Sequence, residues 1–222
     1  MIEVVVVGAG GFGREALDII AAVNDAADEQ ALLLLGVLDD SPDTQSLERL
    51  EARGVPWLGP VKSWLKGLRG VRRECGFVVA IGDPATRSRI AEALEAEGLV
   101  PVTLIHPSAN IGSMVEMDDG VVVCGGVQVS TNVVVGRHVH LNPNATIGHD
   151  ARLGDFVSVN PGAIVSGEAS IGARALLGAG SVILQGRSVG SRSIVGASAC
   201  VTKDVPTEST VIGVPARKFI RR

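Results

Sequence analysis

The chain has almost no aromatic residues. Tyrosine is absent, and four Phe and two Trp bring the aromatic share of its 222 residues to 3%. That scarcity argues against a wide core packed with rings and fits a narrow interior lined by aliphatic side chains. Cysteine is scarce too. Cys75, Cys124 and Cys200 are odd in number and lack metal-ligand spacing, which argues against a disulfide framework and points to a reducing cytoplasm. Charge of either sign is modest. Lys and Arg total 20 against 24 Asp and Glu, a net −4 with no long basic tract, so nucleic-acid binding has no electrostatic footprint. No long apolar run is present. The start MIEVVVVGAG has no basic leader and is too short to span a membrane, so it reads as a buried strand.

What the chain does have is a period. Counting in sixes from Ile111 gives Ile111, Met117, Val123, Val129, Val135, Leu141 and Ile147, and continues through Leu153, Val159 and Val165 to Val201. Every one of these positions is aliphatic or Met, with no slip of register. A fixed period of six residues marks a β-helix solenoid. Gly often follows the aliphatic residue, as at Gly112, Gly136, Gly148, Gly154, Gly172 and Gly178. A tight corner at positive φ is the expected reason, since Gly has no Cβ to clash there. Two residues before the aliphatic position sits a small or β-branched one, such as Val121, Ala145, Ala163 or Ala199. Three such hexads would close one triangular coil, rising by roughly one strand spacing of ~4.8 Å. Residues eighteen apart would then stack, with Ile111, Val129, Ile147, Val165, Ile183 and Val201 forming one internal column.

Residues 1–106 follow a different rhythm. Aliphatic strands at Ile2–Val7, Leu32–Leu38 and Phe77–Ile81 alternate with helical patterns from Arg14 to Val23, Thr44 to Arg53, Pro60 to Leu68 and Pro84 to Glu97. A last strand is expected at Val102–Ile105. Asp83 is placed to cap the fourth helix, with Pro84 at its first position. Strands alternating with helices imply a small, Rossmann-like parallel α/β domain. The expected division is therefore 1–106 for this domain and 107–222 for the solenoid with its tail.

Gly8-Ala9-Gly10-Gly11-Phe12-Gly13 matches G-x-G-x-x-G between a strand and a helix, where backbone N–H groups suit a diphosphate. Asp39, ending the second strand, could accept from a ribose. About four strands and no second mononucleotide half disfavour NAD. The alternative is that the glycines only make a tight βα turn. Among the four histidines, His149 falls two residues after inward-facing Ile147, near a corner and pointing outward. Asp150 follows it, and a neighbouring carboxylate favours a protonated imidazole. Gly167 lies one coil on, leaving room for a ligand and offering an N–H to an oxyanion. The alternative is a solvated turn histidine. His138 and His140 would share one strand face without completing a ligand set, so no metal site is expected. His106 reads as a domain-junction element.

These stretches carry a resemblance. VVVVGAGGFGRE at the start, VLDD at 37–40, AIGD at 80–83, LIHPSANIG at 104–112, LNPNATIGHDARLGD at 141–155 and VIGVPARKF at 211–219 together resemble one bacterial family. It is the family of sialic-acid O-acetyltransferase-like and UDP-4-amino-sugar N-acetyltransferases, built of hexapeptide repeats. The resemblance covers nearly the whole chain. It implies a left-handed parallel β-helix, a homotrimer, and acetyl-CoA bound between adjacent solenoids as co-substrate. It implies His149 as general base, Asp150 as the acid beside it, and Asn142 near the acceptor group. Acetyl-CoA would contact Ser158, Ala179 and Ala197, with the Gly167 backbone on the thioester oxygen. The nucleotide of the sugar would lie on Gly10, Gly11, Phe12, Asp39, Asp40 and Gly82. Some members carry a histidine where this chain has Ser158 or Phe12, and Glu is common where it has Asp150.

The expected reaction is acetyl transfer from acetyl-CoA to the amino group of a UDP- or dTDP-linked 4-amino-4,6-dideoxy sugar, in the biosynthesis of a surface polysaccharide or related glycan. Direct attack on the activated thioester needs no acyl-enzyme. Two other readings stay open. One is O-acetylation of sialic acid or another glycan hydroxyl, which would use the same base. The other is a non-enzymatic, nucleotide-binding trimeric scaffold. Serine and maltose O-acetyltransferases usually lack the α/β domain present here.

Overall fold

The computed structural model describes residues 1–68 and 75–219. The chain divides into two compact units, Met1–Pro107 and Ser108–Arg222. The first contains β1 (Ile2–Val7), α1 (Gly11–Ala26), β2 (Leu32–Leu38), α2 (Thr44–Glu51), α3 (Val61–Leu68), β3 (Cys75–Val79), α4 (Pro84–Ala96) and β4 (Val100–Pro101). The sheet order is β2-β1-β3-β4 and every pair is parallel. Val4 to Val7 are fully buried, as a continuous aliphatic run demands of a strand covered on both faces. Ala16, Leu17, Ile19 and Ile20 form the buried face of α1. Asp43 and Asp83 cap α2 and α4, accepting from the amides of Ser46 (2.6 Å) and Thr86 (2.7 Å). Hydrogen bonds from the Ser46 amide and side chain to Asp43, and from the Thr86 side chain and amide to Asp83, hold both carboxyls below their usual range.

The last strand differs from expectation. It is Val100–Pro101, and Leu104–Ile105 forms a separate short strand outside this sheet. Pro101 has no N–H to donate, and it is tolerated because β4 is the edge strand. The segment after α2 also adds to the sheet. Val37 N–H donates to Pro56 O and Leu58 N–H to Val37 O, so Trp57 runs parallel to the end of β2.

The second unit is a parallel β-helix of two-residue strands, left-handed like the hexapeptide transferases it resembles. One face stacks Asn110–Ile111, Gln128–Val129, Thr146–Ile147, Ile164–Val165, Val182–Ile183 and Cys200–Val201. The second stacks Glu116–Met117 through Ser188–Val189, and the third carries Val122–Val123, His140–Leu141, Ser158–Val159, Leu176–Leu177 and Ile194–Val195. Pairing is in register at eighteen residues, as in Ile147 opposite Val165. The inward aliphatic residues are buried from Val123 to Val201, and only Ile111 and Met117, in the first coil, are half-buried.

Positive φ occurs at a position other than the expected one. The glycines that follow the aliphatic residues have ordinary φ. They are required because a Cβ would strike the next coil: at Gly112 it would lie 2.8 Å from the Ser130 carbonyl carbon, and at Gly154 2.7 Å from Ala173 N. The left-handed residue comes two positions later, and is often not glycine: Asn132, His138, Asn144, Asp150, Phe156, Glu168 and Arg174 all have φ between 53° and 60°. The cost of that conformation is offset by coil-to-coil hydrogen bonds such as Phe156 N–H to Arg137 O (2.8 Å) and Arg174 N–H to Asp155 O (2.7 Å).

The layer two residues before each aliphatic position is mostly Val or Ala and is buried from Val121 to Ala199, except at position 187, where half-buried Arg187 departs from the expected small residue. Ser181 breaks it, and its buried Oγ has no hydrogen-bond partner among the described residues. A buried hydroxyl without a partner costs about 1–3 kcal/mol. Ser181→Ala is therefore expected to raise the melting temperature by a few degrees, measured by calorimetry; a lower melting temperature would contradict this.

Candidate functional site

His149 sits on the corner that follows the strand Thr146–Ile147, with about half of its side chain exposed. Its Nδ1 lies 2.8 Å from Asp150 Oδ2. An ionised carboxylate can only accept, so Nδ1 is the donor, and in the neutral imidazole this tautomer puts the lone pair on Nε2. Asp150 can reach back to its own neighbour because it holds the left-handed corner conformation, φ 60°. Its other oxygen, Oδ1, accepts from Asn132 Nδ2 at 3.3 Å, one coil below. The hydrogen bond from His149, with that from Asn132, holds the Asp150 carboxyl below the usual carboxylate range. Asp150 thus stays ionised well into acid. Because its folded value is depressed, what it adds to stability is present above the ordinary carboxylate pKa and is lost as pH falls through the lowered value.

Gly167 is stacked one coil above His149. A Cβ on Gly167 would lie 2.6 Å from His149 Nε2 and 2.7 Å from Cε1. The imidazole therefore occupies the space that a side chain at 167 would fill, with Nε2 held over the glycine. The open position at 167 serves the histidine itself as well as any ligand. The Gly167 N–H donates to no acceptor among the described residues. Asn142 lies at the preceding corner. It is 8% exposed, and its amide donates to Val159 O (3.0 Å) and Asn160 Oδ1 (3.2 Å) rather than to His149.

Ala179 and Ala197 are exposed and stack on one corner, eighteen residues apart. That corner follows the third face, whereas His149 and Gly167 occupy the corner after the first. Ser158 is 1% exposed, in the strand beside His140 and Leu176, and offers almost no surface. A cleft of about 620 Å³ runs past Val134, Arg152, Ser170 and Ser188, and contains none of these candidate residues.

His138 and His140 do not share a strand face. His138 holds a left-handed corner, buried, with its ring stacked on Phe156 (centroids 5.1 Å apart, 9° between planes). Arg174 continues that column, 5.9 Å above the Phe156 ring. Among the described residues, no three His, Cys, Asp or Glu side chains gather as a metal site. No described helix is long and apolar enough to cross a membrane.

In the first unit the glycines divide by role. Gly8 has φ 116°, and Gly13 packs so closely that a Cβ would strike Gly8 O. These two build the turn from β1 into α1. Gly10, Gly11 and Gly82 would each point a Cβ into open space. They sit at the carboxyl ends of β1 and β3, where the strand order reverses and α/β sheets bind ligands. Phe12 is half-buried on the first turn of α1.

Asp39 and Asp40 serve their own loops. Asp39 accepts from Ala9 N–H through Oδ2 (2.8 Å) and from Ser41 N–H through Oδ1 (2.9 Å), and Asp40 Oδ1 accepts from Val61 N–H at the start of α3 (2.9 Å). Two arginines were not foreseen. Arg14 donates to Ala9 O (2.9 Å), and fully buried Arg87 donates to Ile81 O (2.7 Å) and Gly82 O (3.2 Å). Burial pushes Arg87 down to about 9, so it remains charged at neutral pH and ties the loop that carries Gly82.

An Asp150→Asn variant tests the second residue of the pair. An amide can present either its oxygen or its NH2 to Nδ1, so the tautomer is no longer fixed. Turnover is expected to fall roughly ten- to hundredfold, less than the ~10⁴ of a buried triad aspartate because water can partly replace an exposed carboxylate. Melting should be unchanged, since exposed ion pairs add little stability. Steady-state kinetics equal to the native chain would contradict this role.

Residues 3–94 match the PglD N-terminal domain. The chain is 32% identical over 81 residues to GDP-perosamine N-acetyltransferase of Escherichia coli O157:H7, and 31% identical over 123 residues to UDP-N-acetylbacillosamine N-acetyltransferase of Bacillus subtilis. These matches cover 36% and 55% of this chain, and only 37% and 51% of those two relatives. Solved structures match over the full length. Perosamine N-acetyltransferase of Caulobacter crescentus, in a histidine-substituted variant bound to CoA and GDP-perosamine, superposes with TM-score 0.87 at 30% identity, covering 99% of this chain and 97% of that one. The acetyltransferase domain of PglB from Neisseria gonorrhoeae, bound to acetyl coenzyme A, gives TM-score 0.81 at 29% identity and 98% coverage of each. With its fold, its open glycine loop and its histidine corner, the chain belongs to the UDP-4-amino-sugar N-acetyltransferase family of hexapeptide-repeat proteins.

Proposed function

We propose that this chain moves an acetyl group from acetyl-CoA to the amino group of a nucleotide-linked 4-amino-4,6-dideoxy sugar, with His149 as general base. The observation that carries this is the His149–Asp150 pair, in which Nδ1 faces the carboxylate and the neutral imidazole would present its Nε2 lone pair above Gly167. The amine nitrogen attacks the thioester carbonyl carbon and the C–S bond breaks. The sulfur leaves as the thiolate of CoA, and the proton lost by the amine passes to Nε2. The Gly167 N–H donates to the carbonyl oxygen as negative charge gathers there. Asn142 orients the acceptor end of the sugar. A positioned base contributes ~10²–10⁴-fold, and holding both substrates in line supplies much of the rest.

Acetyl-CoA lies along Ala179, Ala197 and the Gly167 backbone. Ser158, 1% exposed, drops out of that set. Ala179 and Ala197 share one corner and His149 stands on another, so a single solenoid does not gather the whole site. A homotrimer, in which one copy's corner faces the next copy's, would do so. The nucleotide lies on Gly10, Gly11, Phe12 and Gly82, with Asp39 and Asp40 shaping the loop edges. Relatives are named for GDP- and UDP-linked sugars, so GDP joins UDP and dTDP as a candidate base carrier.

The test is the chemistry of the product. Native chain, acetyl-CoA and a nucleotide 4-amino sugar should yield an amide, seen by NMR and stable to hydroxylamine. An ester on sialic acid, with no amide on any amino sugar, would move the chain to O-acetylation and overturn the proposal.

A further inference from the structure

We propose that Trp57 is the platform on which the nucleobase of the nucleoside diphosphate stacks. The proposal rests on the nucleotide-sugar reading above and adds to it the residue that holds the base. Trp57 is 43% exposed, in a chain with only two tryptophans and no tyrosine. Its polar edge is already satisfied, because Nε1–H donates to Asp39 O at 3.2 Å. What remains open is apolar ring. The ring is also fixed in place. Pro56 and Leu58, on either side, pair with Val37, and Asp39 N–H donates to Gly59 O at 3.2 Å.

Position points the same way. Asp39 is a shared hub: its backbone oxygen holds the Trp57 indole, and its carboxylate holds Ala9 N–H in the glycine loop. In a doubly wound sheet with a diphosphate on the first helix N-terminus, the nucleoside runs toward the carboxyl end of the second strand, past its acidic residue. Here that acidic residue is Asp39, and the next exposed aromatic surface beyond it is Trp57. Both Asp39 oxygens already accept backbone hydrogen bonds. The base is therefore held by a ring face more than by this carboxylate. Stacking on a π-face is tolerant of base identity, which fits a family whose named members use both GDP and UDP sugars.

The test uses the full chain carrying Trp64→Phe, so that Trp57 is the only tryptophan. Titration with UDP, GDP and dTDP should quench its emission saturably. By calorimetry, Trp57→Ala should raise the dissociation constant of the tightest of these at least about fivefold. Trp57→Phe keeps a stacking face but loses the N–H to Asp39, and should stay within about twofold of native. If Phe loses as much affinity as Ala, the role is the hydrogen bond to Asp39 and the proposal is overturned. Nucleotide binding that is unchanged in Trp57→Ala also overturns it, while leaving the nucleotide-sugar reading intact. If the native chain binds none of the three nucleotides, the nucleotide-sugar reading falls, and stacking with it.

Discussion

His149→Ala is expected to lower turnover of acetyl-CoA with an amino sugar at least ~100-fold, with no change in melting temperature. The side chain is about half exposed and fills no part of the solenoid interior. Its one hydrogen bond is to Asp150, whose Oδ1 keeps its link to Asn132 when the imidazole is gone. Coil stacking at this corner runs through the backbone, as in Glu168 N–H to His149 O (2.8 Å), and survives the change. The loss should therefore fall on kcat, with acetyl-CoA affinity retained. A drop below about threefold, or a loss explained by unfolding, would remove His149 as the base.

Gly167→Ala should have an effect of similar size by a different route. The backbone at 167 is in an ordinary conformation, so alanine adds no torsional strain. Its Cβ would overlap the imidazole, 2.6 Å from Nε2. The imidazole is the mobile partner, and it must swing away from the place where the proposed mechanism needs it. Misplacing a catalytic group by about 1 Å costs on the order of 100-fold. Gly148→Ala makes the comparison informative. There the new Cβ would strike Gly167 N and, at 2.7 Å, the Ser166 carbonyl carbon, both backbone of the next coil. That variant should lose stability, by roughly 1–3 kcal/mol, whereas Gly167→Ala should lose activity and keep its fold. Equal melting losses in the two would contradict this assignment of Gly167.

The solenoid was legible because its signal is periodic and apolar. Val129, Ile147 and Val165 have to face inward whatever their neighbours do. The left-handed corner carried no signal, because Asn, His, Asp, Phe, Glu and Arg all occupy it and coil-to-coil hydrogen bonds override their preferences. Corner glycines were visible as a pattern, but their reason was not. Spacing cannot reveal that Gly154 faces Ala173 across a coil boundary. At the candidate site, the pairing of His149 with Asp150 and the stacking of Gly167 followed from adjacency and the eighteen-residue step. Asn132 belongs to the same column, yet an exposed Asn two residues after Ser130 has nothing to mark it. The engagement of Asp39 with two backbone amides, the burial of Arg87 and the docking of Trp57 on Asp39 depend on how loops meet in space. Ser158 came from the family resemblance alone, and its side chain is closed off at 1% exposure.

The central claim is acetyl transfer to a nucleotide-linked amino sugar. Release of free CoA thiol from acetyl-CoA tests it most directly, with UDP-, GDP- and dTDP-linked 4-amino-4,6-dideoxy sugars and sialic acid as acceptors. Thiol release with at least one nucleotide amino sugar, and none with sialic acid, is the predicted result. Thiol release with sialic acid alone, or none with any acceptor, would contradict it.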